Sequence, residues 1–429
     1  MKKKLIYNLR IFFKSNKKLV LILILMFFLF LLPNILWRFD SIVNYKNLLP
    51  QNFQIALRML YQFDFSAKKI SNNYNVKFLP ETQFLDLRFE KINLDFLKFH
   101  KKGYNNINTG IYKSFYLDLY NENIFILTHQ GKIYIKNISQ ILNKEINFTE
   151  VNSNLDVVRT LDIHINKNNI YISSVNKESN SCYSLNLYMA NVSHDYLDFL
   201  NIFKSKECIT DLIQSGKIQT LKFNGGDYIL LATAADTQAN SQRDPKPQSD
   251  DSIFGKILLI DSKNHYSFFS KGFRNVLGLY ADDNVVIATD NGPKGGDEIN
   301  KVAYNKNYGW PISSYGQKYL SKDLDYKLSH ENYGFEEPIF SWVPSIGVSQ
   351  IVKIDNNFTP LWEDNFLIGS LNFKHLIRVK FNKTYNKLIF AENIFINERI
   401  RDLKYSKKYK LILLALEDTG SLGVLYVKD

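Results

Sequence analysis

The chain has 429 residues, 45% of them hydrophobic and 14% aromatic, which is ample for a core and exceeds one average domain, although large all-β folds fill such a length as one unit. Its net charge of +12 points toward nucleic acid, but eight positive charges fall in residues 1–39 without one acid. That leaves +4 on the other 390 residues, a balance that excludes a basic nucleic-acid-binding stripe.

Residues 1–18 read as a basic cytoplasmic tail, carrying Lys2, Lys3, Lys4, Arg10, Lys14, Lys17 and Lys18. Residues 19–37 follow as a continuous apolar stretch, unbroken from Leu19 to Leu32. As a helix they would span about 28 Å, close to a hydrocarbon core. The charge distribution predicts a retained signal anchor with a cytoplasmic N-terminus and the bulk of the chain on the periplasmic or extracytoplasmic side. A cleaved signal peptide needs small residues after the apolar run, and Pro33-Asn-Ile-Leu-Trp-Arg-Phe-Asp40 provides no such site.

Residues 38–105 are expected to form a membrane-proximal stalk and the first strands. Leu85, Leu87 and Phe89 alternate with Asp86 and Arg88 and predict a strand there. From 106 to 429 short apolar or alternating runs recur, among them Ser114–Leu119, Tyr228–Ala232, Lys256–Ile260 and Lys410–Leu414, separated by Asn-, Gly- and Asp-rich turns. This predicts an all-β propeller, with the blade number open on periodicity alone. Cys182 and Cys208, the only cysteines, are compatible with one disulfide or with two free thiols. The polar stretch Ala234–Ser252 is the one long interruption and carries Asp236, Asp244, Asp250 and Asp251, without the spacing of a known calcium loop.

Gly272–Gly316 concentrates the turn chemistry. A strand-like run ends in Asn291-Gly-Pro-Lys-Gly-Gly296, then come Asp297-Glu298 and Tyr308-Gly-Trp-Pro311. Such turns place backbone amides and carbonyls at a surface, which suits an anion or calcium, or serve only as tight turns between strands.

These motifs, with Gly272-Phe-Arg-Asn275 before them and Glu398-Arg-Ile-Arg-Asp402 after them, resemble in order the signature of the glucose/sorbosone dehydrogenases. The resemblance covers roughly residues 106–428. It implies a six-bladed β-propeller holding pyrroloquinoline quinone (PQQ) and Ca2+, which oxidises a sugar or other alcohol and passes electrons to an unidentified acceptor. It further implies that Arg274, Asn275, Trp342, Arg399 and Arg401 contact the quinone, and that Gly292 and Pro293 give carbonyls to the calcium. Where the family has its general-base histidine, this chain has Ile213, and Ile accepts no proton. His129, His164 and His375 are the candidates for a replacement, each read first as structural. Two functions therefore stand side by side: a membrane-anchored sugar dehydrogenase with an unidentified base, and a non-catalytic propeller binding a sugar, an envelope component or a protein. A metal-dependent lactonase on a similar propeller matches the motifs poorly.

Overall fold

The computed structural model describes residues 85–104, 107–143, 146–179, 182–209, 215–235, 245–317 and 326–428. The apolar stretch at 19–37 and Ile213 lie outside the described residues. Among the described residues no helix is long and apolar enough to cross a membrane.

Six antiparallel sheets form the blades of a propeller. Blade 1 runs outward from Phe115–Tyr120 through Asn123–Thr128 and Ile133–Asn137 to Thr149–Ser153. Blade 2 comprises Arg159–Asn166, Asn169–Ser179, Cys182–Asn191 and Leu200–Lys204; blade 3 comprises Ile218–Phe223, Gly226–Ala232, Lys256–Ile260 and Tyr266–Lys271. Blade 4 is Val276–Ala281, Val286–Asp290, Asp297–Val302 and Phe340–Trp342; blade 5 is Val348–Ile354, Asn365–Ser370, His375–Phe381 and Leu388–Phe395. Blade 6 takes Ile400–Ser406, Leu411–Leu416 and Ser421–Val427 from the C-terminal part and completes itself with Leu87–Asn93, paired in register from Leu87 opposite Val427 to Asn93 opposite Ser421. That N-terminal strand closes the ring and protects the last blade's edge. The innermost strands neighbour one another in ring order, blade 6 returning to blade 1.

The strands form where the sequence concentrates β-branched and aromatic residues, and their apolar faces pack between neighbouring blades. Phe115, Leu117 and Ile124 of blade 1 meet Leu411, Leu413 and Val424 of blade 6, for example. Each fully buried side chain of this kind contributes about 2 kcal/mol. Charged side chains stitch the inner strands together. Lys217 Nζ lies 2.7 Å from Asp162 and 3.5 Å from Asp402, and Lys404 Nζ lies 3.4 Å from Asp118, linking blades 1, 2, 3 and 6. Asp402 and Asp162 also accept the Leu117 and Ile218 amides. Cys182 and Cys208 form a disulfide across 26 residues, which settles the cysteine question on blade 2.

Candidate functional site

In each blade the turn between the second and third strands, and the link to the next blade, lie at the same end of the propeller. Arg274, Asn275, Gly292, Pro293, Trp342 and Arg399 therefore share one face, and Arg401 begins the inner strand just below it.

Asp297 organises the Gly-rich turn of blade 4. Its Oδ1 accepts the Gly292 amide at 2.9 Å, and its Oδ2 accepts those of Ile346, Gly347 and Val348 at 2.9, 2.6 and 3.2 Å. One carboxylate thus ties this turn to the start of blade 5. Burial raises its pKa against the pull of the Ser345 hydroxyl and these amides. The turn is too tight for side chains: a Cβ at Gly292 would meet the Gly296 carbonyl at 2.3 Å, and one at Gly296, where φ is +71°, would meet the Gly316 nitrogen at 2.3 Å.

Asp290 does the same for the turn at Phe273–Asn275, accepting the amides of Arg274 at 2.8 Å and Asn275 at 2.6 Å. Burial, with Glu298 nearby, pushes the Asp290 carboxyl up to about 7. The Arg274 side chain turns back onto the neighbouring loop. Its Nη1 donates to the carbonyls of Asn291 at 2.7 Å and Gly292 at 3.0 Å, and its Cζ lies 5.5 Å from the Trp310 ring. Beside it is a small polar cavity lined by Asp290, Glu298, Trp310, Ser313, Ser314 and His330, with room for about one water molecule. His330 Nδ1 is 3.1 Å from the Tyr308 carbonyl and 2.9 Å from Ser313 Oγ, and Nε2 is 3.4 Å from Glu298. Burial lowers the His330 pKa, but the Glu298 carboxylate outweighs it and the net shift is upward. Trp310 Nε1 and Asn275 Oδ1 are buried without a hydrogen-bond partner among the described residues.

Arg399 and Arg401 converge elsewhere on the face, on a single buried carboxylate. Glu417 Oε1 accepts Arg399 Nε at 2.7 Å and Arg401 Nη2 at 2.9 Å; Oε2 accepts Arg401 Nε and Ser114 Oγ, both at 2.6 Å. Four bonds fill the acceptor capacity of the carboxylate. Arg399 Nη1 also donates to the Leu371 carbonyl and to Asn372 Oδ1, each at 3.1 Å, and its guanidinium stacks on Tyr112, with Cζ 4.5 Å from the ring centroid. Burial works against the Arg401 charge, but Glu417 holds its pKa above the ordinary arginine value. Lys374 pairs with Asp418 at 2.8 Å.

Trp342 is half-buried, 5.0 Å from the Phe340 ring, and its carbonyl accepts the Gly296 amide at 2.7 Å. Pro293 packs beside Gly316. The candidate histidines divide by environment. His129 stacks on His100 with ring centroids 3.7 Å apart, and burial together with Arg159 pushes its pKa down to about 2, which makes it a poor proton acceptor. His164 lies between Asp118 at 3.5 Å and Thr220 at 3.3 Å, within the strand network. His375 sits at the surface between Phe373 and Phe395.

The residues as placed do not fit a calcium-bound quinone tricarboxylate. The Gly292 carbonyl already accepts Arg274, and a cation there would face that guanidinium. An incoming carboxylate at Arg399 and Arg401 would face Glu417; two like charges about 4 Å apart repel by about 4 kcal/mol near a protein surface. No group of three or more His, Cys, Asp or Glu side chains with metal-binding geometry occurs among the described residues.

Glu417, Asp290 and His330 escaped the sequence reading. Glu417 has a signal in retrospect: it is the first acid after the apolar run Leu411–Leu416, in the turn that faces the arginine pair.

Residues 117–424 match the family model described as Glucose / Sorbosone dehydrogenase. The aldose sugar dehydrogenase YliI of Escherichia coli (strain K12) is 28% identical over 221 residues, 47% of this chain and 57% of that protein. An uncharacterized Synechocystis protein, slr1608, is 29% identical over 164 residues, 38% of this chain and 39% of its own. The chain thus spans about half the length of the curated relatives it matches. Among solved structures, the apo-form of the soluble aldose sugar dehydrogenase from Escherichia coli superposes with a TM-score of 0.62 at 19% identity, covering 80% of this chain and 99% of that one. The PQQ-bound aldose sugar dehydrogenase from Streptomyces coelicolor gives 0.54 at 17%, covering 80% and 99%. At these identities the superpositions establish the propeller fold.

Proposed function

The chain belongs to the glucose/sorbosone dehydrogenase family, and from that premise we propose that it is a membrane-anchored propeller which binds a sugar or a sugar-bearing envelope component without quinone-dependent oxidation. The observation that carries this reading is the Arg274 guanidinium, bonded to the Asn291 carbonyl and to that of Gly292, one of the two carbonyls the family resemblance assigns to calcium. Ile213 at the base position supports it, since hydride removal from an alcohol leaves a hydroxyl proton that a side chain must take.

Beside the charged lining of the cavity, two of the polar atoms without a hydrogen-bond partner among the described residues are neutral and directional. Trp310 Nε1, at the cavity, offers a donor and Asn275 Oδ1, next to Arg274 in the chain, offers an acceptor, and a sugar hydroxyl can serve either. The cavity beside Arg274 is large enough for one hydroxyl or water, so a sugar ring would rest outside it. Residues 19–37 would hold the propeller at the membrane, with the basic tail in the cytoplasm and the face in an extracytoplasmic space, where the Cys182–Cys208 disulfide persists.

The second reading, a working PQQ- and Ca2+-dependent dehydrogenase, draws on family membership and on Arg274, Asn275, Trp342, Arg399 and Arg401 sharing one region. One experiment separates the two. The purified protein, supplied with PQQ and Ca2+, is offered a panel of aldoses and oligosaccharides, and dye reduction is followed alongside calorimetric sugar binding. The expected outcome is saturable binding of a saccharide with no sugar-dependent dye reduction. Sugar-dependent reduction that disappears on omitting PQQ would establish the dehydrogenase instead.

A further inference from the structure

We infer that Glu417 is a built-in carboxylate that occupies the arginine pair of this face and thereby decides that the protein takes no polycarboxylate cofactor there. The inference rests on the proposed loss of quinone chemistry and names the residue responsible for it.

The geometry is that of a filled receptor. Arg401 approaches Glu417 through two parallel N–H donors, Nε on one oxygen and Nη2 on the other, the side-on arrangement by which a guanidinium recognises any carboxylate. Arg399 adds a third donor and Ser114 a fourth. Glu417 is fully buried, Arg401 nearly so, and Ser114 seals the side of the carboxylate away from Arg399. An external carboxylate would have to break four charge-assisted or hydroxyl hydrogen bonds and leave Glu417 buried without its counter-charges. Stranding one partner of a buried ion pair costs more than a single new arginine–carboxylate contact returns. Glu417 is also tethered, so it competes at an effective concentration that a dilute ligand does not reach.

Charge gives the same answer. Arg399 and Arg401 with Glu417 carry one net positive charge, too little to draw in a tricarboxylate. Without the Glu417 carboxylate the pair carries two, and the buried Arg159, whose pKa is lowered by burial first and by Arg401 as well, adds one more to either total. The chemistry excluded by Glu417, and admitted when it is shortened, is therefore that of a planar or compact organic polycarboxylate, with PQQ as the probe.

The test compares the full chain with Glu417→Ser, which clears the space and keeps a hydroxyl, and with Glu417→Gln, which removes charge and keeps volume. PQQ is titrated calorimetrically and by quinone absorbance, with thermal unfolding recorded with and without it. The expected result is no saturable binding by the parent protein and no rise in its Tm. Glu417→Ser should bind PQQ at least about tenfold more tightly than the parent, with a raised Tm, and Glu417→Gln should fall between. Adding Arg401→Gln to Glu417→Ser should abolish the gain. Saturable PQQ binding by the parent overturns this inference, and the proposed function falls with it only if sugar-dependent dye reduction accompanies that binding. Absence of binding in the parent and in a folded Glu417→Ser overturns only the role given to Glu417. If Glu417→Ser folds only in the presence of PQQ, that rescue itself supports the inference, and if it does not fold at all, Glu417→Gln decides: a folded Glu417→Gln binding no better than the parent overturns the role.

Discussion

Two arginine centres on the same face of the propeller have opposite fates. Around Glu417 every acceptor position of the carboxylate is taken, and the two guanidinium groups are locked to it. Around Arg274 the guanidinium is bonded to backbone, but Trp310 and Asp290 line the neighbouring cavity, the indole N–H without a hydrogen-bond partner among the described residues and the Asp290 carboxyl pushed up to about 7 by burial. The first centre has been converted to structure, and the second keeps the unfinished polar chemistry that a ligand can complete. A family platform can therefore be dismantled in one part and retained in another, and the arginines alone, read in sequence, do not tell which.

The comparison is broken most forcefully at Glu417. Glu417→Ala strands two guanidinium groups and should cost about 3–5 kcal/mol in equilibrium urea unfolding. A loss below about 1 kcal/mol would mean that the cluster is not the structural element described. Asp290 offers the next largest effect, through pH. Its folded pKa, about 7, lies above the ordinary aspartate value of 3.8, so the native state binds the extra proton. Its contribution to stability is then fully present below the unfolded pKa and is lost as pH rises from about 4 through about 7, by at most roughly 4 kcal/mol. Unfolding measured between pH 4 and 8 should show a component of that sign that Asp290→Asn removes; an unchanged profile in the variant would contradict the assignment. Trp310→Phe should be milder, about 1–2 kcal/mol for the lost ring packing, because the indole N–H has no hydrogen-bond partner among the described residues to forfeit. The same variant should weaken saccharide binding, so the small stability effect and the binding effect together separate a ligand-facing group from a purely structural one.

Much of this propeller was readable from its residues. Lys256–Ile260 is a strand over the span that its apolar run predicts, and the alternation of Leu85, Leu87 and Phe89 marks the strand that closes blade 6. These signals are local, since strand propensity and turn residues act over a few positions. The family motifs pointed to Arg274, Arg399 and Arg401, and the structure sets Arg274 and Arg399 at one end of the propeller with Arg401 at the start of the inner strand beneath. Their partners were not readable: Glu417 lies 16 and 18 residues from the two arginines it binds, and Ser114 lies 303 residues from Glu417. Asp297 presents the same difficulty, because the Asp297-Glu298 pair after a Gly-rich turn does not disclose the four amides that Asp297 accepts, three of them about 50 residues further along the chain. Whether an arginine is available to a ligand depends on such long-range pairings, which composition and spacing do not encode.

The central claim is that this member of the family carries its own carboxylate in place of the cofactor's. Titration of the full chain with PQQ in the presence of Ca2+, read by calorimetry, addresses it most directly. The account predicts no saturable heat for the parent protein and a saturable isotherm for Glu417→Ser; a saturable isotherm for the parent, unchanged by that substitution, would contradict it.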